Sequence, residues 1–477
     1  MREVSVIIRR ATEGQERLHF EASFPRTAHP WEAQLPVWRP GRYEVGNFAK
    51  GIYKMEGQLP DGRWQHLKKV NLHRWAVPAG VNTLRWTVDA RTLNAGSTCV
   101  EPEHDLLYVN PVNCFVYDDR RVDLPYRIAL PDVPKEWPIA TNLAWSDNAL
   151  HAEDMQQLMD SPFLTAPELG HMEYEVDGVA FHLWAYGQTL PDSDPFLLQH
   201  IQFTQAQLTY FGSFPVSEYH FLYLFPEREV RHGVEHEAST VIVLGPSERA
   251  ATSAGFDEII GIASHELYHT WNVKQIRPAE WMPYDFSRAC PSELGYVAEG
   301  VTTYMGDLFL FEGGCVGLEG WCRLMERLLD RHINNPGRFN LSVAASSYDT
   351  WLDGYEIGAP GRKGSIYIEG AVLAFLCDVR IMDLTNGDAS LSTAMRTMWE
   401  RFGRSRVGYN AEDYWGVLNE TAGQPGALDD LRRQFCDGIE DTWPALVEAM
   451  ATQGLALDRS PDPQNPNIQR TRITQAG

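Results

Sequence analysis

The pentapeptide HELYH at 265–269 constrains this chain more than any other stretch. Around it, Phe256, Ile259, Ile260, Ala263 and Leu267 recur at helical spacing, so a helix is expected, with Pro278 ending it soon after. On a helix, residues four apart lie on one face, which puts His265 and His269 side by side. Two imidazoles so placed suit one zinc ion, and Glu266 next to them offers a carboxylate that can take a proton from attacking water. The plainer alternative is an amphipathic helix holding two histidines by chance. Against it, three ionisable groups in an apolar segment are costly without partners.

A catalytic zinc takes three protein ligands and keeps a fourth position open. The third is expected on a second helix, in SELGYVAEGVTTY at 292–304, where Glu293 and Glu299 compete. Glu299 is better placed, inside the helix among small and apolar residues. Glu293 stands near the helix start, where the helix dipole alone favours an acid.

The 477 residues allow two or three domains. With 44% hydrophobic and 22% charged residues, the composition is that of a soluble globular protein. A net charge of −23 argues against nucleic acid and anionic membranes as partners. The 7 cysteines are scattered and form no CxxC pair, which suits reduced thiols in the cytoplasm. The apolar run at the N-terminus is too short for a signal peptide and reads as a first strand. No stretch has the length of a transmembrane helix.

The expected fold is α+β and multidomain. Residues 1–169 show short apolar segments at 5–8, 18–22, 53–57, 84–88 and 126–130, separated by Pro, Gly, Asn and Asp. They predict a β-sandwich-like domain. Within it, LPVWRPGRY at 35–43, with Arg39 and Arg42, reads as a rigid turn around a packed Trp38. Residues 170–330 form the expected catalytic domain, with strands at 179–184 and 218–224, a helix at 194–211 and the histidine helix. From 292 to about 450 helical patterns dominate, at 292–311, 318–332, 365–384, 391–402, 411–420 and 443–450, and the mostly helical lobe is expected over 331–457. The Pro- and Asn-rich stretch 458–477 is expected to be a mobile tail.

The run HELYHTWNVKQIRP at 265–278 resembles the zinc motif of the glycyl aminopeptidase family of gluzincin metallopeptidases. That family typically shows HExxHxWNVKxIRP and then an EGxTxY helix, matched here at 299–304. LPVWRPGRY is similar to its LPxWxPGxY, His232-Gly-Val-Glu-His236 to its GGLEH, and SIYIEG at 365–370 to its SYYxKG. The resemblance implies a thermolysin-like catalytic domain with one zinc per chain on His265, His269 and Glu299. It implies Glu266 as general base and later acid, and Glu235 as the carboxylate that binds the substrate's free α-amine. It gives Tyr367 the support of the oxyanion, and implies peptide substrates with a free N-terminus and a small first residue, Gly or Ala. The plainer roles are a solvated strand-edge carboxylate for Glu235 and a packed helix tyrosine for Tyr367.

The chain departs from the family pattern at Ile366, Glu369, His232, Glu293 and Gly295, all of which spare the ligands and the base. Glu369 in place of lysine is expected to put a negative charge near the site. The chain ends too soon after 457 for the family's PDZ domain, so either a member without one or a piece of a longer chain is expected. Two rivals remain: a zinc endopeptidase, and a catalytically silent zincin scaffold that acts as a binding protein. The sequence does not indicate an oligomeric state.

Overall fold

Val4, Val6 and Ile8 alternate with less buried residues, so Val4–Arg10 is a strand with one covered face. It pairs antiparallel with Arg17–Ser23 and parallel with Tyr126–Ala129. These strands belong to an eight-stranded sheet whose inner face stacks Phe20 on Trp86 at 5.2 Å. The computed structural model describes residues 3–11, 15–101, 105–187, 191–355 and 358–476. The chain divides into two compact units. The first comprises 1–193, 216–259 and 284–289, and the second 194–215, 260–283 and 290–477.

In the first unit, two further sheets enclose one apolar layer. Cys99, Leu106, Tyr108, Ala140 and Leu164 come from a four-stranded sheet. Leu222, Leu224, Val234, Val241 and Val243 come from a five-stranded one. This core therefore draws on segments from both sides of position 170. The five-stranded sheet runs in the order Gly170–Val176, Val179–Gly187, Glu218–Phe225, Ser239–Gly245, Val230–Glu235. Its first strand is an edge. The segment expected as a strand at 53–57 pairs later, over Glu56–Gln58.

The second unit is built around helix Ile366–Leu384. It is buried on nearly all sides, as its almost uninterrupted apolar sequence requires. Ser365 caps it by accepting from the Ile368 amide, a contact worth about 1 kcal/mol. Helices Thr302–Glu312, Leu318–Ile333, Val343–Asp353 and Trp443–Thr452 pack on it. The expected mobile tail is corrected. Leu455–Pro461 and Gln469–Gln475 form an antiparallel hairpin. Asp330 and Glu326 of helix Leu318–Ile333 accept from the amides of Thr471 and Ile473 at 2.6 and 2.7 Å. The Pro- and Asn-rich composition lies mostly in its turn, where the Asp462 carboxylate accepts from the Gln464 amide at 2.7 Å.

Asp307 lies in helix Thr302–Glu312, where burial pushes its carboxyl up to about 7 and Arg327 offsets part of the rise. Because the unfolded chain releases this proton first, near 3.8, stability falls as pH rises from there towards 7. Asp307→Asn is therefore expected to raise the melting temperature at pH 7.5 and to leave it nearly unchanged at pH 4. An equal gain at both pH values would remove burial of the carboxylate as the cause.

No helix among the described residues is long and apolar enough to cross a membrane. None of the seven cysteines is bonded to another.

Candidate metal centre

The histidine helix runs over Ser253–Tyr268, and the boundary between the two units falls inside it. The regular helix stops well before Pro278. Its last turn still holds, since the His269 amide reaches the His265 carbonyl at 3.3 Å. Both imidazoles turn Nε2 to one point, 3.0 Å apart. Glu299 Oε2 joins them at 3.6 Å from His265 Nε2 and 3.3 Å from His269 Nε2. Ligand atoms around a tetrahedral zinc with bonds of about 2.0–2.1 Å lie roughly 3.3–3.4 Å apart, so this donor set fits the ion. Glu293 is exposed and takes no part in the cluster. Burial opposes ionisation of Glu299, but His269 and His265 outweigh it and hold the carboxyl well below the usual range.

Three local features hold these groups in place. The Asn272 carbonyl accepts from His269 Nδ1 at 2.7 Å, which fixes the tautomer and leaves the Nε2 lone pair facing the cluster. Asn272 Nδ2 in turn donates to the Val297 carbonyl at 2.9 Å and to Thr302 Oγ1 at 3.1 Å. Glu299 itself sits in a π-helical turn, Tyr296–Val301, a widened winding often found at functional sites. That turn meets helix Ile366–Leu384 where Gly300 faces Gly370. A Cβ on Gly370 would lie 2.7 Å from the Tyr296 carbonyl oxygen and 2.9 Å from Gly300 Cα. The following helix crosses the histidine helix at Gly306, where a Cβ would come within 3.0 Å of His265 Cα. Ser264 Oγ donates to the Gly306 carbonyl there at 2.7 Å. Sequence reasoning gave no role to Asn272, Thr302, Gly300 or Gly370, although all four stand inside the motifs it quoted.

Glu266 follows His265 on the same helix and is 6% exposed. Tyr367 occupies the first turn of helix Ile366–Leu384, half-buried, with its hydroxyl 3.1 Å from that of Tyr355. Glu369 is corrected in its surroundings. It lies 2.6 Å from His332 Nδ1, whose Nε2 meets Thr442 Oγ1 at 2.6 Å, so it is hydrogen-bonded inside the helical packing.

Glu235 belongs to the first unit and ends strand Val230–Glu235. It is 3% exposed, and its Oε1 has no hydrogen-bond partner. The turn at 35–43 forms its wall. Trp38 is fully buried, with Nε1 donating to the Asp285 carbonyl at 2.7 Å. Gly41 has φ +74° and leaves no room for a Cβ, which would fall on the Glu235 carboxylate. Arg39 Nη2 lies 3.3 Å from His232 Nε2. Burial, with Arg39, Arg42 and Arg231 close by, pushes the His232 imidazole down to about 3. It is neutral at pH 7.

A family model described as M61 glycyl aminopeptidase matches residues 258–373, and a model of the peptidase M61 N-terminal domain matches residues 8–167. No curated protein matches the chain. Among solved structures, an aminopeptidase N family protein from Idiomarina loihiensis is similar at a TM-score of 0.89 and 22% identity, over 97% of this chain and 80% of that one. A mutant M1 zinc metallopeptidase from Deinococcus radiodurans, bound to a Tyr-Ser-Ala substrate, is similar at 0.50 and 13%, over 90% and 92%. These two likenesses show a shared zincin peptidase fold. Matched in both its N-terminal domain and its catalytic segment, the chain belongs to the M61 glycyl aminopeptidase family and is a metallopeptidase of the aminopeptidase class.

Proposed function

We propose that the chain is a zinc-dependent aminopeptidase that removes small N-terminal residues, Gly or Ala, from peptides, with one zinc per chain. The observation that carries this reading is the convergence of His265 Nε2, His269 Nε2 and Glu299 Oε2, with Glu266 next to them on the same helix. Bound there, zinc would polarise the scissile carbonyl and make water a better nucleophile at neutral pH. Glu266 takes the proton from the attacking water and returns it to the leaving amine. Tyr367 offers a phenol donor, which can share the charge that develops on the carbonyl oxygen. Glu235 has a buried carboxylate oxygen that lacks a donor, and a substrate ammonium supplies one. Unbonded cysteines are in keeping with a cytoplasmic location.

The test compares glycyl- and alanyl-anilides with their N-acetylated forms. Only the free amines are expected to be cleaved. Glu235→Gln is expected to lower kcat/KM on them by about 1.5–3 kcal/mol, or roughly 10–150-fold, the worth of a charged hydrogen bond. Equal cleavage of acetylated substrates would point to an endopeptidase. Full zinc occupancy without turnover on a broad peptide panel would leave a silent scaffold.

A further inference from the structure

We propose that His171, Glu173 and His182, on the five-stranded sheet of the first unit, bind a divalent transition-metal ion of the zinc kind. This site is separate from the His265–His269–Glu299 centre and shares no residue with it.

The three side chains share one face of two neighbouring strands. Glu173 and His182 are direct cross-strand partners, and His171 pairs with Trp184 two residues along. His171 Nε2 lies 3.1 Å from His182 Nδ1, and Glu173 Oε2 lies 3.9 Å from the same nitrogen. All three ligand atoms fall within 4.8 Å of one another. These separations bracket the roughly 3.3–3.4 Å expected between ligands of a tetrahedral zinc. Two imidazoles and one carboxylate form a donor set suited to zinc, copper or nickel rather than to calcium or magnesium. Glu173 is exposed, so its carboxylate has freedom to close the last few tenths of an ångström.

The groups behind the pair favour the nitrogens that face the ion. An indole N–H can only donate. Trp184 Nε1 therefore donates to His220 Nδ1 at 3.2 Å, and the His220 proton sits on Nε2. That nitrogen lies 3.1 Å from Glu218 Oε1. The same oxygen lies 3.2 Å from His182 Nε2, and a carboxylate so close favours the tautomer of His182 that carries its proton on Nε2. The His182 Nδ1 lone pair is left pointing at His171 and Glu173. A carboxylate behind a ligating imidazole is the usual support of a protein metal site. Without an ion, His171 Nε2–H donates to that lone pair. With one, the His171 proton moves to Nδ1 and both lone pairs face the metal. His171 is held for this by stacking on Trp184, 3.9 Å between ring centroids.

The ion would clip the edge strand Gly170–Val176 to its neighbour. The experiment titrates the full chain with Zn2+ at pH 7.5 against a chromophoric chelator. It follows hydrogen exchange of residues 170–187 in parallel. The wild type is expected to take up one equivalent that is absent from His171→Ala and His182→Ala. Those variants should keep any other equivalent and keep peptidase turnover unchanged. Glu218→Gln is expected to weaken the same equivalent by about 10–100-fold. Exchange in 170–187 should slow with zinc in the wild type alone. Zinc uptake unaffected by either histidine substitution, or saturating only in the millimolar range, would overturn the proposal and leave the pair as an imidazole–imidazole hydrogen bond.

Discussion

Glu266→Gln is expected to lower kcat on glycyl-anilide by about 10²–10⁴-fold, the usual contribution of a positioned acid–base group. The metal content should not change. Glu266 is not one of the three converging donors, and glutamine fills the same buried volume beside His265. KM should move little, because the lost proton transfer matters only in the transition state. Zinc analysis beside steady-state kinetics checks both halves. A variant that loses metal along with activity would make Glu266 part of the site's structure. A variant that keeps full activity would require another base.

The second large effect concerns a residue that performs no chemistry. Gly300→Ala would set a methyl group onto the Gly370 backbone, closer than real carbon contacts allow. Neither backbone has a flexible end that can yield, so the π-helical turn carrying Glu299 must move. Overpacking of this kind costs typically about 1–3 kcal/mol, occasionally more. At roughly 2–4 °C per kcal/mol for a unit of this size, a fall in melting temperature of about 2–12 °C is expected. Zinc retained after dialysis should fall with it. Gly416→Ala supplies the contrast, since a Cβ there meets nothing within 4 Å and the residue lies inside helix Ala411–Thr421. The same chemical change is then expected to be neutral or to stabilise by about 0.5–1 kcal/mol. If Gly300→Ala melts like the wild type and keeps its metal, the close approach of the two helices does not position Glu299.

Much of this centre was legible in the sequence because its signals are local. Helical period and a four-residue spacing put His265 and His269 on one face, and flanking residues favoured Glu299 over Glu293. The π-helical winding was not legible, because contact between Gly300 and Gly370, seventy positions apart, accompanies it and no periodicity announces it. The C-terminal hairpin was misread for a related reason. Its turn carries the Pro and Asn, while its order comes from carboxylates of helix Leu318–Ile333 more than a hundred residues earlier. Helix Val343–Asp353 escaped notice because VAASSYDTWLD buries mainly serine and threonine, and so shows no apolar stripe. The surroundings of Glu369 were misjudged because its partner, His332, stands on another helix.

That last pair bears on how relatives of this chain should be compared. Buried opposite His332, Glu369 meets an imidazole able to share a proton with it. A lysine at 369, as the family motif has it, would bring an ammonium to the same ring, which would then have to turn a Nδ1 lone pair to it and carry its proton on Nε2. An exchange at 369 therefore reverses donor and acceptor at His332, which couples the two positions in one hydrogen bond. A graft of either residue alone into a relative imports half of a matched set.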